Sequence, residues 1–111
     1  MPIPLHQAKA ELFRTMGHPV RVRVLELLQD RPRPVRELLE EIDVEPSNLS
    51  QQLAVLRRAG LVSSAREGSS VRYALATSDV SDVMTAARRI LTELLSDRRD
   101  LLDELLAAPP A

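Results

Sequence analysis

Five side chains in one short stretch, Ser47, Asn48, Ser50, Gln51 and Gln52, are hydroxyls or amides. Each can donate and accept hydrogen bonds, which is what reading base edges in the major groove of DNA requires, and Asn or Gln can pair with adenine in bidentate fashion. None of the five is charged, so attraction to phosphate has to come from other groups. Arg57 and Arg58 stand one helical turn beyond, Arg66 and Arg72 further along, and a helix start supplies unpaired backbone amides. A polar row is also the ordinary solvated face of a helix, so the neighbouring elements have to decide between the two readings.

Other chemistry has little to work with. The chain has no Cys, which removes disulfides, thiolate metal sites and cysteine nucleophiles. Three glycines make no phosphate-cradling loop, and the two histidines, His6 and His18, are too far apart to suggest a nucleophile-base arrangement. Neither an enzyme nor a cofactor is expected. His18 precedes Pro19 and reads as a helix cap or interhelical contact. A metal or pH role for His6 would rest on that one residue. Asp79, Asp82, Glu93, Asp97, Asp100, Asp103 and Glu104 are hard oxygen ligands, suited to calcium or magnesium rather than zinc. Acidic residues on an exposed helical face are ordinary solvated charge, and no metal site is expected.

The elements that would position the polar stretch follow from spacing. Leu5, Ala8, Leu12, Phe13 and Met16 recur at three- and four-residue intervals and predict a first helix over 5–16, stopped by Gly17. Pro19 opens a second helix with Val20, Val24, Leu27 and Leu28 as its buried stripe, and Arg31-Pro32-Arg33-Pro34 breaks it. A third runs from Val35 to about Ile42, with Val35, Leu38, Leu39 and Ile42 inward and Glu37, Glu40 and Glu41 outward; Asp43-Val44-Glu45 is a tight turn. Pro46 opens a fourth helix to about Ala59, with Leu49, Leu53, Val55 and Leu56 available for packing and Gly60 just past its end.

Residues 61–66 and 71–75 predict two short strands joined by Glu67-Gly68-Ser69-Ser70, where Gly68 can supply positive φ. Val71, Tyr73 and Leu75 form the buried face of that hairpin, Arg72 and Ala74 the wet one. A last helix runs from Asp79 to about Leu106. Its apolar positions, Val80, Met84, Ala87, Leu91, Leu94, Leu101 and Leu105, alternate at three and four residues and are interrupted at Arg98. Only Pro109-Pro110-Ala111 reads as a tail. The fold class is mainly α with a small β-hairpin: a winged helix-turn-helix of about five helices plus a two-stranded wing, whose fourth helix would enter the major groove.

Length and composition agree. The 111 residues suit a single domain over 1–111, and 44% hydrophobic with 28% charged residues argues against disorder. The net charge of −1 conceals a division: residues 1–75 carry 11 basic and 9 acidic side chains, residues 76–111 carry 4 and 7. Within 46–75 four Arg face one Glu, a local positive surface that a neutral whole does not forbid. Fourteen of the 15 basic residues are Arg, which suits bidentate phosphate or guanine contacts, although a GC-rich genome gives the same bias. The first residues lack the apolar core of a signal peptide, and no run approaches the roughly 20 apolar residues a bilayer needs. A cytoplasmic protein without membrane contact is expected.

Three runs together resemble the ArsR/SmtB family of bacterial repressors over about two thirds of the chain. They are Leu12-Phe13-Arg14-Thr15-Met16-Gly17-His18-Pro19 through Leu28; Ser47-Asn48-Leu49-Ser50-Gln51-Gln52-Leu53 through Gly60-Leu61-Val62; and Arg66-Glu67-Gly68 through Val71-Arg72-Tyr73. The resemblance implies a homodimer pairing through its first and last helices that leaves its operator when a signal arrives, with Ser47, Asn48, Ser50, Gln51 and Gln52 against DNA. It also exposes departures. Metal-sensing members carry a cysteine pair in the third helix, where this chain has Leu39 and Glu41; others bind zinc through Asp and His of the last helix, which here has no His. The signal is thus left to a small molecule at the dimer interface, to another protein, or to concentration alone.

The last helix argues for pairing independently. About 28 residues span roughly 42 Å, more than one small winged domain covers. A partner over Leu5, Leu12, Val80, Met84, Ala87, Leu91 and Leu94 is expected, the alternative being a helix packed wholly on its own domain. Pairing would set two reading helices about one DNA turn apart, on inverted half-sites. A protein-binding adaptor of the same fold is the competing reading.

Overall fold

In the computed structural model, which describes residues 2–107, the order is α1 (Leu5–Met16), α2 (Pro19–Leu27), β1 (Arg33–Pro34), α3 (Val35–Glu41), α4 (Pro46–Arg58), β2 (Val62–Glu67), β3 (Ser70–Leu75) and α5 (Ser78–Ala107). Helix starts follow local chemistry. Pro19 and Pro46 take first-turn positions, where a missing N–H costs nothing. His18 caps α2, its Nδ1 accepting from the Val20 amide at 3.1 Å. The end of α4 is as well defined: Gly60, at φ +79°, donates to Arg57 O and Leu61 donates to Leu56 O, both at 3.0 Å. That is the paired closure of a Schellman motif, with buried Leu61 and Leu56 supplying its apolar contact.

Leucines of α2, α3 and α4 make the centre of the core. Val24, Leu25, Leu38, Leu49, Leu53 and Leu56 are essentially solvent-free, and Leu27, Leu28, Ile42, Leu61 and Val62 surround them. On α4 the buried positions fall at Leu49, Leu53 and Leu56, one inward stripe. The loop between α3 and α4 is therefore clamped by apolar contact on both sides. The predicted tail, 109–111, lies outside the described residues.

The wing differs from the expected two strands. Its sheet has three, in the order β1-β3-β2, with Arg33 opposite Tyr73 and Pro34 opposite Arg72. Arg33 precedes a proline, which pushes it into the extended region, and Pro34 sits where a strand lacking an N–H can sit, at the sheet edge. Arg33 holds the junction: its Nε donates to Leu27 O at 2.7 Å and its Nη2 donates to Asp30 at 3.2 and 3.3 Å. Desolvation opposes ionisation of Asp30, but the hydrogen bond and charge of Arg33 outweigh it and hold the carboxyl below its ordinary value.

Strands β2 and β3 reach one residue closer to the tip than spacing predicts, leaving the two-residue loop Gly68-Ser69. Gly68 has φ +63° and Ser69 does not share the positive sign, the pattern of a type II′ hairpin turn.

The foot of α5 also corrects an expectation. Val80 and Met84, assigned to a partner interface by their rhythm, are 8% and 9% exposed in the chain's own core. Gln29, in the turn just after α2, ties the same two turns down, its Nε2 donating to Ser81 O, Ser81 Oγ and Thr85 Oγ1 at 3.1–3.2 Å. From Thr85 to Ala107 every residue of α5 is exposed. Among the described residues no helix is long and apolar enough to cross a membrane.

Candidate nucleic-acid interface

Helix α4 and the β2–β3 hairpin carry the polar and basic groups selected from the sequence. Helix α4 begins at Pro46 with no side-chain cap, since Glu45 at the cap position makes no such bond. The amides of its first turn are thus left for an anion. Ser47, Ser50 and Gln51 are exposed. At 100° per residue, Ser47, Gln51, Ala54 and Arg58 line up along one outward row. Arg58 continues that row, whereas Arg57, the residue picked from the sequence, stands about 80° round the helix. Both arginines are exposed in the last turn, where their charge also favours the helix terminus.

Asn48 and Gln52 are placed differently. Both are half-buried, and they are hydrogen-bonded to each other: Gln52 Nε2 donates to Asn48 Oδ1 at 3.0 Å. Gln52 Oε1 in turn accepts from Arg21 Nε at 2.8 Å. Arg21 was not among the sequence-selected residues. It sits on α2, 31 positions from its partner, and its Nη1 donates to Thr15 O, a terminal carbonyl of α1, at 3.1 Å.

The two wing arginines part company. In the β2–β3 register Arg66 faces Val71 while Arg72 faces Ala65, so the two project from opposite faces of the hairpin. Arg72 Nε lies 2.9 Å from Glu67 Oε2, which shares its face. Arg66 has no such carboxylate among the described residues and is the more available cation. Nor do three His, Cys, Asp or Glu side chains gather into a metal cluster among the described residues. Leu39 and Glu41 of α3 offer no thiolate.

A second surface is apolar. Leu5, Leu12 and Phe13 of α1 are exposed, as are Ile90, Leu91, Leu94, Leu95, Leu101, Leu102, Leu105 and Leu106 of α5. A groove lined by Val22, Met84, Ala87, Leu91 and Leu95 continues this face toward α2. A monomer rarely leaves so many large apolar side chains of one helix in water, even with Arg98 dividing them.

Comparisons with known proteins agree with this geometry. The family model described as bacterial regulatory protein, arsR family, matches residues 18–64. The chain is 48% identical over 109 residues to the uncharacterized HTH-type transcriptional regulator Rv0081 of Mycobacterium tuberculosis, covering 97% of this chain and 96% of that protein. The crystal structure of Rv0081 superposes with a TM-score of 0.81 at 49% identity, over 87% of this chain and 98% of that one. The biofilm growth-associated repressor of Agrobacterium fabrum is 33% identical over 90 residues, 78% of this chain and 77% of that protein. A solution structure from Mycobacterium bovis, Mb0332, described as a homodimeric winged helix-turn-helix DNA-binding domain, matches with a TM-score of 0.75 at 25% identity, over 84% and 86% of the two chains.

Proposed function

The chain belongs to the ArsR family of bacterial regulatory proteins, and on that premise we propose that it is a homodimeric repressor occupying an inverted-repeat operator. Its work is DNA-binding regulation of transcription, not catalysis. One observation carries the reading: α4 sinks Leu49, Leu53 and Leu56 into the core and keeps Ser47, Ser50, Gln51 and Arg58 outside, behind an uncapped helix start. Residues 1–111 act as one winged helix-turn-helix domain, with α5 as the dimerisation element. Two similar proteins support the two halves of the reading, one a repressor and one a homodimer. With no Cys in the chain and no metal-ligand cluster among the described residues, release is assigned to a small molecule at the dimer interface, to another protein, or to concentration alone. Such a protein works in the cytoplasm.

Selection of random duplexes on the purified, metal-free protein at physiological salt, followed by sizing of the complex, tests this. An inverted repeat bound by two copies is the expected result. A folded protein that enriches no motif sinks the operator reading and leaves the adaptor.

Two finer outcomes follow from the interface. Gln51→Ala is expected to cost about 1–3 kcal/mol of specific binding if its amide pairs with a base; a preserved specificity ratio removes it from the reading set. On the wing, Arg66→Ala should weaken all duplexes alike and reduce the salt slope by about 0.9. Arg72→Ala should do less, because Glu67 already opposes its charge. Salt titrations in which Arg72→Ala has the larger effect would reverse that ranking.

A further inference from the structure

The hydrogen-bonded chain from Arg21 to Asn48 has a direction, and the direction has consequences for which bases the reading helix accepts. Arginine can only donate, so the Gln52 atom facing Arg21 Nε at 2.8 Å is its oxygen. The Gln52 amide nitrogen then faces Asn48, and the Asn48 atom accepting from it at 3.0 Å is again the oxygen. With that oxygen engaged, Asn48 Nδ2 carries no protein partner among the described residues and is the end left to face outward. We propose that Arg21 is a positioning residue that sets the polarity of Asn48 through Gln52, so that Oδ1 is turned toward Gln52 and Asn48 offers DNA its Nδ2 donors.

The inference rests on α4 being the reading helix. It then narrows what Asn48 can read. An asparagine free to use both ends suits adenine, which offers N7 to accept and N6 to donate. One restricted to its NH2 group suits a base presenting acceptors: guanine through O6 and N7, or thymine through O4. Cytosine, whose major-groove edge offers the N4 donor, is disfavoured because donor would meet donor. Arg21 is well placed to enforce this, since its Nη1 is anchored on Thr15 O at 3.1 Å and Arg21 is itself half-buried. Gln52 therefore cannot turn over without leaving a guanidinium N–H unpaired.

The discriminating variant is Gln52→Glu. A carboxylate accepts from Arg21 with one oxygen and from Asn48 Nδ2 with the other, which turns Asn48 over and presents its oxygen to DNA. Base preference at one position of each half-site should switch from guanine or thymine to cytosine or adenine, by roughly tenfold, with the other positions unchanged. Arg21→Met should broaden the preference at that same position, and Arg21→Lys, which keeps a donor, should retain more of it. Selection on the wild type and the three variants, side by side, reads all of this. An unchanged preference in Gln52→Glu, or a uniform loss across all sequences, overturns the proposal.

A measurement without DNA keeps the proposal separate from the operator reading. In the free protein the Arg21 Nε–H and the Gln52 side-chain amide protons should exchange slowly with water in nuclear magnetic resonance spectra and show mutual proximity. Arg21→Met should speed exchange at Gln52. Fast exchange at both groups in the wild type overturns the relay whatever the selection gives. A wild type that shows the protected pair but enriches no motif sinks the operator reading, and with it the base-reading role of Asn48.

Discussion

Leu91→Asp should convert the protein from a dimer to a monomer and lower operator affinity by about 10²- to 10⁴-fold, the range lost when two linked binding modules are separated. Leu91 is 57% exposed in the single chain and lies in the middle of the α5 stripe. Its replacement therefore removes little packing within the protomer, while an unpaired carboxylate buried against a second copy is strongly unfavourable. Size-exclusion and light-scattering measurements should show one copy, circular dichroism should show the helical content retained, and binding to a single half-site should survive weakly. A variant that remains dimeric at micromolar concentration and holds the full operator would move the interface away from this part of α5. A control at Asp97 or Glu104, replaced by Lys, bears only on solvated charge and should change little.

Leu53→Ala should have the largest effect on the protomer itself, a destabilisation of about 2–5 kcal/mol. Leu53 is 1% exposed and sits on the inner face of α4 between Leu49 and Leu56. Its truncation leaves a cavity under the reading helix that a close-packed core fills poorly. Against a total stability of about 5–15 kcal/mol this is a large fraction. Urea unfolding should show the midpoint falling at an unchanged slope. A loss below about 0.5 kcal/mol, the range of surface substitutions, would mean that α4 is not seated as described.

These two leucines mark the boundary between what was legible in the sequence and what was not. Apolar spacing identifies α1 to α5 and the hairpin because helices of seven residues or more, and strands with clear alternation, repeat their signal. Strand β1 escaped because two residues cannot display a period; only the extended bias before Pro34 pointed to it. The rhythm of α5 ran unbroken from Val80 to Leu94, yet the first two apolar positions are buried in the chain's own core and the later ones face outward. Periodicity says that a face is covered, not by what. Composition picked out Asn48 and Gln52, but their pairing with Arg21 across 31 residues carries no local signature. The separation of Arg66 and Arg72 onto opposite faces needed the hairpin register, which the two-residue loop sets.

Strand β1 has a mechanical consequence. It leads without a spacer into α3, and by pairing with β3, the central strand, it bolts the wing to the start of the helix-turn-helix. The wing is consequently no loose flap hinged only at the end of α4, because tilting it against α3 would shear the β1–β3 hydrogen bonds. In the proposed dimer the winged half of each protomer would then have few internal degrees of freedom left, and the compliant joint would be the contact between protomers. A signal acting on such a dimer would change the span and angle between two stiff heads, so its effect should depend on half-site spacing more than on the bases within a half-site.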